Sequence, residues 1–143
     1  MKIVTYPQYL PPEAMIVRTT VFVEEQGFVD EYDDIDPIAT HFVMYDEDNN
    51  PVATCRVFAL DGQGEEGFFF LGRLAVIKEH RGRGLGAEIV TAAEAYVHAT
   101  GGEGILLHSQ SAASGFYRAV GYTAFGEPDE EQGCPHVWMK KRL

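Results

Sequence analysis

Residues 72–86 read Gly-Arg-Leu-Ala-Val-Ile-Lys-Glu-His-Arg-Gly-Arg-Gly-Leu-Gly and constrain the chain more than any other stretch. An apolar run gives way to a basic, glycine-rich turn, and a helical pattern starts directly after it. The order predicts a strand, a tight turn and the first turn of a helix. Glycines at 82, 84 and 86 carry no Cβ, so a ligand can come close to the main chain there. The following helix would offer unpaired N–H groups and the positive end of its dipole to an anion. Arg81 and Arg83 add donors suited to phosphate oxygens. The stretch reads as a cradle for a diphosphate. It is not a mononucleotide P-loop, which ends in Gly-Lys-Ser or Gly-Lys-Thr. It is not a Rossmann turn either, because Gly82-x-Gly84-x-Gly86 has the wrong spacing and lies past mid-chain.

Around this stretch the chain alternates strands and helices. A strand over 3–6 is followed by Pro11-Pro12-Glu13, a suitable helix start. Residues 14–26 are ambiguous by composition: Val17, Thr19, Thr20, Val21 and Val23 favour strand, whereas Ala14, Val17 and Val21 stand at helical spacing. We read a helix, stopped at Gly27. Residues 30–37 form an acidic loop. Strands over 41–45 and 52–60 are joined by a turn at 46–51, and a second turn at 61–67 leads to a nearly continuous apolar strand over 68–77, as a buried central strand should be. The clearest helix spans 84–99, with Leu85, Ile89, Ala92 and Tyr96 on one stripe and Val90, Ala93 and Val97 on another. A strand over 105–108 completes a βαβ unit, so its two strands should run parallel. A short helix over 111–120, with Ser111 as N-cap and Gly121 as stop, precedes strands over 122–125 and 137–140.

The 143 residues suit a single domain, 1–143. No apolar run approaches the roughly 20 residues that span a bilayer, and the N-terminus lacks the features of a signal peptide. Two cysteines make no disulfide framework, so the cytoplasm is the default compartment. A net charge of −11 argues against nucleic-acid binding. The acids cluster in one run from Glu24 to Asp36 and in another at Glu127, Asp129, Glu130 and Glu131. Such runs are solvated loops, or they line an entrance that favours a cationic substrate.

The turn Arg81-Gly82-Arg83-Gly84-Leu85-Gly86 resembles the pyrophosphate loop of the GNAT (GCN5-related) N-acetyltransferases, and the element order β-α-β-β-β-α-β-α-β-β is that family's order. Three further pieces match. Phe116-Tyr117 followed by Gly121-Tyr122 looks like the family's fourth-helix signature. Arg18 to Gln26 resembles the Arg-x-x-Val-Phe-x-x-Glu-Gln segment of the ElaA-like branch. Gly133-Cys134-Pro135-His136-Val137-Trp138-Met139 resembles that branch's tail, and Asp33, Asp36 and His41 fall at its Asp, Asp and His positions. The resemblance implies an α/β fold of mixed type: a mostly antiparallel, twisted sheet of about seven strands, splayed where strands four and five run parallel, with three to four helices around it.

It also implies the chemistry. Acetyl-CoA would be the donor, with no metal. Leu74, Ala75 and Val76 would pair with its pantetheine arm, amides of Arg81, Gly82, Arg83, Gly84, Leu85 and Gly86 would hold its diphosphate, and Ser114 and Tyr117 would complete the binding site. A bulge at Gly72-Arg73 would present an amide, that of Leu74, to the thioester oxygen, where an oxyanion develops. A substrate amine would attack the thioester directly. Tyr117 matches the family's acid, and a phenol with a reference pKa of about 10 can protonate a thiolate. His136 is the first choice of base, with Glu25 as the alternative. Arg18, Arg73, Gln110 and His136 would contact the acceptor; the two arginines match positions that hold an anionic group in acetyltransferases of small acidic amines, but Gln110 departs from that group's basic residue. Arg18 and Arg73 could equally form structural pairs with Glu25 or Asp36.

The expected activity is therefore acetylation of a small-molecule primary amine. The competing readings are an enzyme acting on a protein or peptide amine, and an acyl-CoA sensor without turnover. A symmetric dimer is plausible. The remaining histidines show no metal-ligand spacing, and nothing in the sequence supports an acyl-enzyme on Cys55 or Cys134.

Overall fold

The computed structural model describes residues 1–29, 32–60 and 66–143. The expected acidic loop at 30–37 and turn at 61–67 fall partly outside these. Seven strands form one sheet in the order β1-β2-β3-β4-β5-β7-β6: β1 (Lys2–Tyr6), β2 (Thr40–Tyr45), β3 (Pro51–Ala59), β4 (Phe68–Val76), β5 (Gly104–Gln110), β6 (Thr123–Glu131) and β7 (Cys134–Arg142). All neighbours are antiparallel except β4 and β5. Those two pair only from Phe68–Gly104 to Phe70–Leu106 and then part, while β5 stays paired with β7 as far as Gln110–His136. The parting opens a cleft in the middle of the sheet. This is the mixed, seven-stranded α/β fold expected from the sequence. Among the described residues, no helix is long and apolar enough to cross a membrane.

Helix α2 (Leu85–Ala99) covers one face of the sheet. Ile89, Ala93 and Val97 are fully enclosed with Phe42, Ile105, Leu107 and Met139. Each such side chain taken out of water contributes about 1.5–3 kcal/mol. The other face receives α1 (Pro12–Arg18) through Ala14 and Val17.

The helix expected over 14–26 is helical throughout but is α only to Arg18; residues Thr19–Glu25 form a π-helix, ended by Gly27 at φ +75°. The β-branched run Thr19, Thr20, Val21 and Val23 crowds an α-helical turn, and the wider turn relieves it. The helix expected over 111–120 begins with a 3₁₀ turn, and α3 spans Ser114–Ala119. Ser111 is no side-chain cap: its carbonyl accepts from Ser114 Oγ at 2.8 Å. The largest difference concerns the second acidic run. It is not a loop but the outer half of β6, paired with β7 through Asp129–His136 and Glu131–Cys134. Gln132 and Gly133 turn the hairpin with φ +51° and +76°, the left-handed pair that a tight two-residue turn requires. An edge strand keeps its acids in solvent, so the charge does not oppose pairing.

Candidate functional site

The site is built on an irregularity in β4. Thr54 pairs with Ala75 and Arg56 with Gly72, so Cys55 alone faces Arg73 and Leu74. That extra residue is a β-bulge, and it falls where the family resemblance implied it. Arg73 holds φ +53°, a left-handed conformation that costs a non-glycine residue about 1–3 kcal/mol and clusters at functional sites.

Two cavities flank the bulge and meet at Gln26, Leu74, Ala113 and Phe116. The first, about 430 Å³, runs along Leu74, Ala75 and Val76 to the loop residues Arg81, Gly82, Gly84, Leu85 and Gly86. Gly82 and Gly84 adopt φ +78° and +77°, and α2 starts immediately beyond them. Strand edge, left-handed glycines and helix start converge on one cavity, as a diphosphate with an extended arm requires. Arg83 and Ser114 line neither cavity; the Ser114 hydroxyl is turned to the Ser111 carbonyl.

The second cavity, about 270 Å³, lies on the π-helix side. Tyr117 and Leu74 wall it, with Arg73, Gln110 and His136. Tyr117 is buried, and burial pushes its phenol well above the ordinary value, so it carries its proton at neutral pH. His136 is buried, with Nδ1 at 2.8 Å from the Cys134 carbonyl. A carbonyl only accepts, so Nδ1 bears the proton and Nε2 is left as a base. Gln110 donates to Gln26 Oε1 at 2.9 Å and ties the end of β5 to the π-helix.

Two expected site residues stand elsewhere. Arg18 is 1% exposed and lines neither cavity. It donates to Asp36 at 2.9 and 3.3 Å, and Arg56 donates to the same carboxylate at 2.7 Å. Its role is to hold the turn at Asp33–Asp36 under the sheet, the structural alternative open from the sequence. Burial raises the Asp36 pKa, but hydrogen bonds from Arg18, the Asp33 amide and Arg56 outweigh it and hold the carboxyl at about 2. Glu25 also lines neither cavity. Its carboxylate meets Arg81, whose hydrogen bond lowers its pKa and weakens it as a base. Arg73 keeps its place in the cleft, with Nη2 at 3.4 Å from Asp33. Cys55 is enclosed and its thiol is pushed up by burial, so it offers no thiolate for an acyl-enzyme.

Two residues not chosen as site residues from the sequence also line the second cavity: His108, and Glu131 of the acidic run for which an entrance-lining role was one alternative. His108 stacks between Trp138 at 4.4 Å and His136 at 4.6 Å, and its Nε2 is 2.6 Å from Asp129. The ligating atoms of His108, Glu131 and His136 lie within 4.8 Å of one another. The signal was period-two spacing, His108 with Gln110 on β5 and Asp129 with Glu131 on β6; what joins them is the strand order.

Residues 20–143 match the model of the acetyltransferase (GNAT) domain. A Bacillus subtilis protein carrying a provisional acetyltransferase name is 38% identical over 134 residues, 90% of this chain and 87% of the relative. A Lactobacillus plantarum crystal structure, provisionally named an N-acetyltransferase, superposes with a TM-score of 0.87 at 30% identity, covering 99% of this chain and 97% of its own. The Escherichia coli ElaA structure shares the fold, with a TM-score of 0.81 at 24% identity over 98% of each chain.

Proposed function

This chain belongs to the GNAT acetyltransferase family, and on that premise we propose that it transfers the acetyl group of acetyl-CoA to the primary amine of a small molecule by direct attack. The observation that carries the reading is the cleft itself: Tyr117, His136 and the bulged Leu74 wall one cavity.

In this mechanism Leu74, Ala75 and Val76 hold the pantetheine arm, and the loop from Arg81 to Gly86 holds the diphosphate. His136 Nε2 takes a proton from the incoming ammonium, because only the neutral amine has a lone pair with which to attack. The Leu74 amide donates to the thioester oxygen as it gains negative charge. The C–N bond forms and the C–S bond breaks; Tyr117 gives its proton to the departing thiolate and recovers one from the nitrogen. The nitrogen loses two protons in all, one ending on sulfur and one leaving through His136 to water. The small acceptor cavity, about 270 Å³, favours a small amine over a folded protein surface.

The test is release of CoA thiol from acetyl-CoA over a panel of small primary amines and of peptides with free N-termini and lysines. Turnover on a small amine is expected. Acetyl-CoA binding with no turnover on any of them would sink the reading and leave a sensor.

A further inference from the structure

At the acceptor end of the cleft, His136 and Glu131 face each other across the β6–β7 pair. His136 spends Nδ1 on the Cys134 carbonyl and aims Nε2 at Glu131 Oε2, 3.5 Å away. At 3.5 Å the imidazole nitrogen and the carboxylate stand farther apart than an ordinary hydrogen bond. A donor with more than one N–H between them would satisfy both. An ammonium has three. Glu131 is 59% exposed, so its side chain can swing outward to admit one. The surroundings favour a positive charge: Asp129 pairs with the cavity-lining His108, and among the described residues Arg73 is the only arginine or lysine lining this cavity, with Asp33 against it.

We infer that Glu131 and His136 Nε2 form the seat of the acceptor's ammonium, and that the acceptor is a simple alkylammonium rather than an α-amino acid. Glu131 binds the charge and His136 then removes the proton. An α-carboxylate next to that nitrogen would lie against Glu131, and like charges at such range repel. This deepens the acetyl-transfer reading and rests on it for its meaning, but the seat can be tested without turnover.

The experiment titrates the CoA-bound protein with n-butylammonium chloride, n-butanol and L-norleucine, reading the imidazole nitrogen shifts of His136 by NMR in the wild type and in Glu131→Gln. Butylammonium should move Nε2 in the wild type, with butanol inert and norleucine about tenfold weaker or more. Glu131→Gln should weaken butylammonium about tenfold while CoA affinity, read by calorimetry, stays unchanged. Equal response to butanol, or equal affinity in the variant, overturns the seat. Norleucine binding as well as butylammonium overturns the acceptor class. A shift with micromolar zinc chloride and none with butylammonium overturns it in favour of metal ligation by His108, Glu131 and His136. Failure of acetyl transfer with the binding intact would count against the enzymatic reading alone.

Discussion

Arg81 grips Glu25 with both ends of its guanidinium, Nη1 to Oε2 at 2.7 Å and Nη2 to Oε1 at 2.6 Å, while its Nε donates to the Val76 carbonyl at 2.9 Å. One side chain thus joins the end of the π-helix, the end of β4 and the diphosphate loop. The residue best suited to hold a phosphate oxygen is held in advance by a carboxylate from the acceptor-side helix. In the proposed binding mode Glu25 therefore competes with the donor for Arg81.

Removing that competition should help the donor. Glu25→Gln is expected to tighten CoA binding by about two- to fivefold, in line with an exposed ion pair, and to leave turnover nearly unchanged. Arg81→Ala should weaken CoA by about tenfold through loss of a charged hydrogen bond. Calorimetry with CoA and steady-state assays check both. A collapse of turnover in Glu25→Gln with normal CoA binding would return Glu25 to the role of base.

Tyr117→Phe should lower turnover about tenfold or more, the scale of a lost general acid, with acetyl-CoA still bound. His136→Ala should remove the acidic limb of the pH–rate profile. If turnover is unchanged in the first, Tyr117 has no part in the chemistry; if the limb persists in the second, His136 is not the base.

The glycine loop makes its own prediction. Gly84 stands at φ +77° with nothing within 4 Å of a Cβ placed there, so Gly84→Ala costs conformation alone, about 1–2 kcal/mol, read as about tenfold weaker CoA. A Cβ at Gly86 would instead meet the Phe116 ring at 3.2 Å. Gly86→Ala should therefore disturb Phe116 at the junction of the two cavities, and raise KM for acetyl-CoA and amine together.

Below neutral pH the buried ion cluster sets stability. Asp36 titrates at about 2 in the folded chain and at about 3.9 when unfolded. A depressed carboxyl stabilises the fold above the unfolded value, and the stabilisation fades as pH falls from about 4 toward 2. Its size is about 2–3 kcal/mol. Asp36→Asn, which leaves Arg18 and Arg56 without that charge, should cost about 3–5 kcal/mol. Urea melts of both proteins between pH 7 and 2 measure it: the wild type should lose stability across that window, and the variant should show a flatter profile.

The legible parts of the fold were those with short-range causes. The α2 stripes and the Gly27 stop follow from spacing and residue type within a few positions, and the bulge at Gly72-Arg73 from the family resemblance. The π-helix was hidden because β-branched residues argue against an α-helix without saying what replaces it. The β6 acids read as a loop because composition was weighed and edge position was unknown.

By itself the sequence determined the glycine turn at the start of α2. Such a turn is a local conformation, set whatever the rest of the chain does. Tertiary structure alone decided the acceptor side. Arg18, Glu25, Glu131 and His108 carry the same chemistry in a cleft as in an ion pair, and only strand order and burial choose between them. The order β5-β7-β6 sets His108, His136 and Glu131 together, and the turn at Asp33–Asp36 takes Arg18 out of reach. Contacts between residues far apart in the chain depend on which surfaces the fold buries, and no local pattern encodes them.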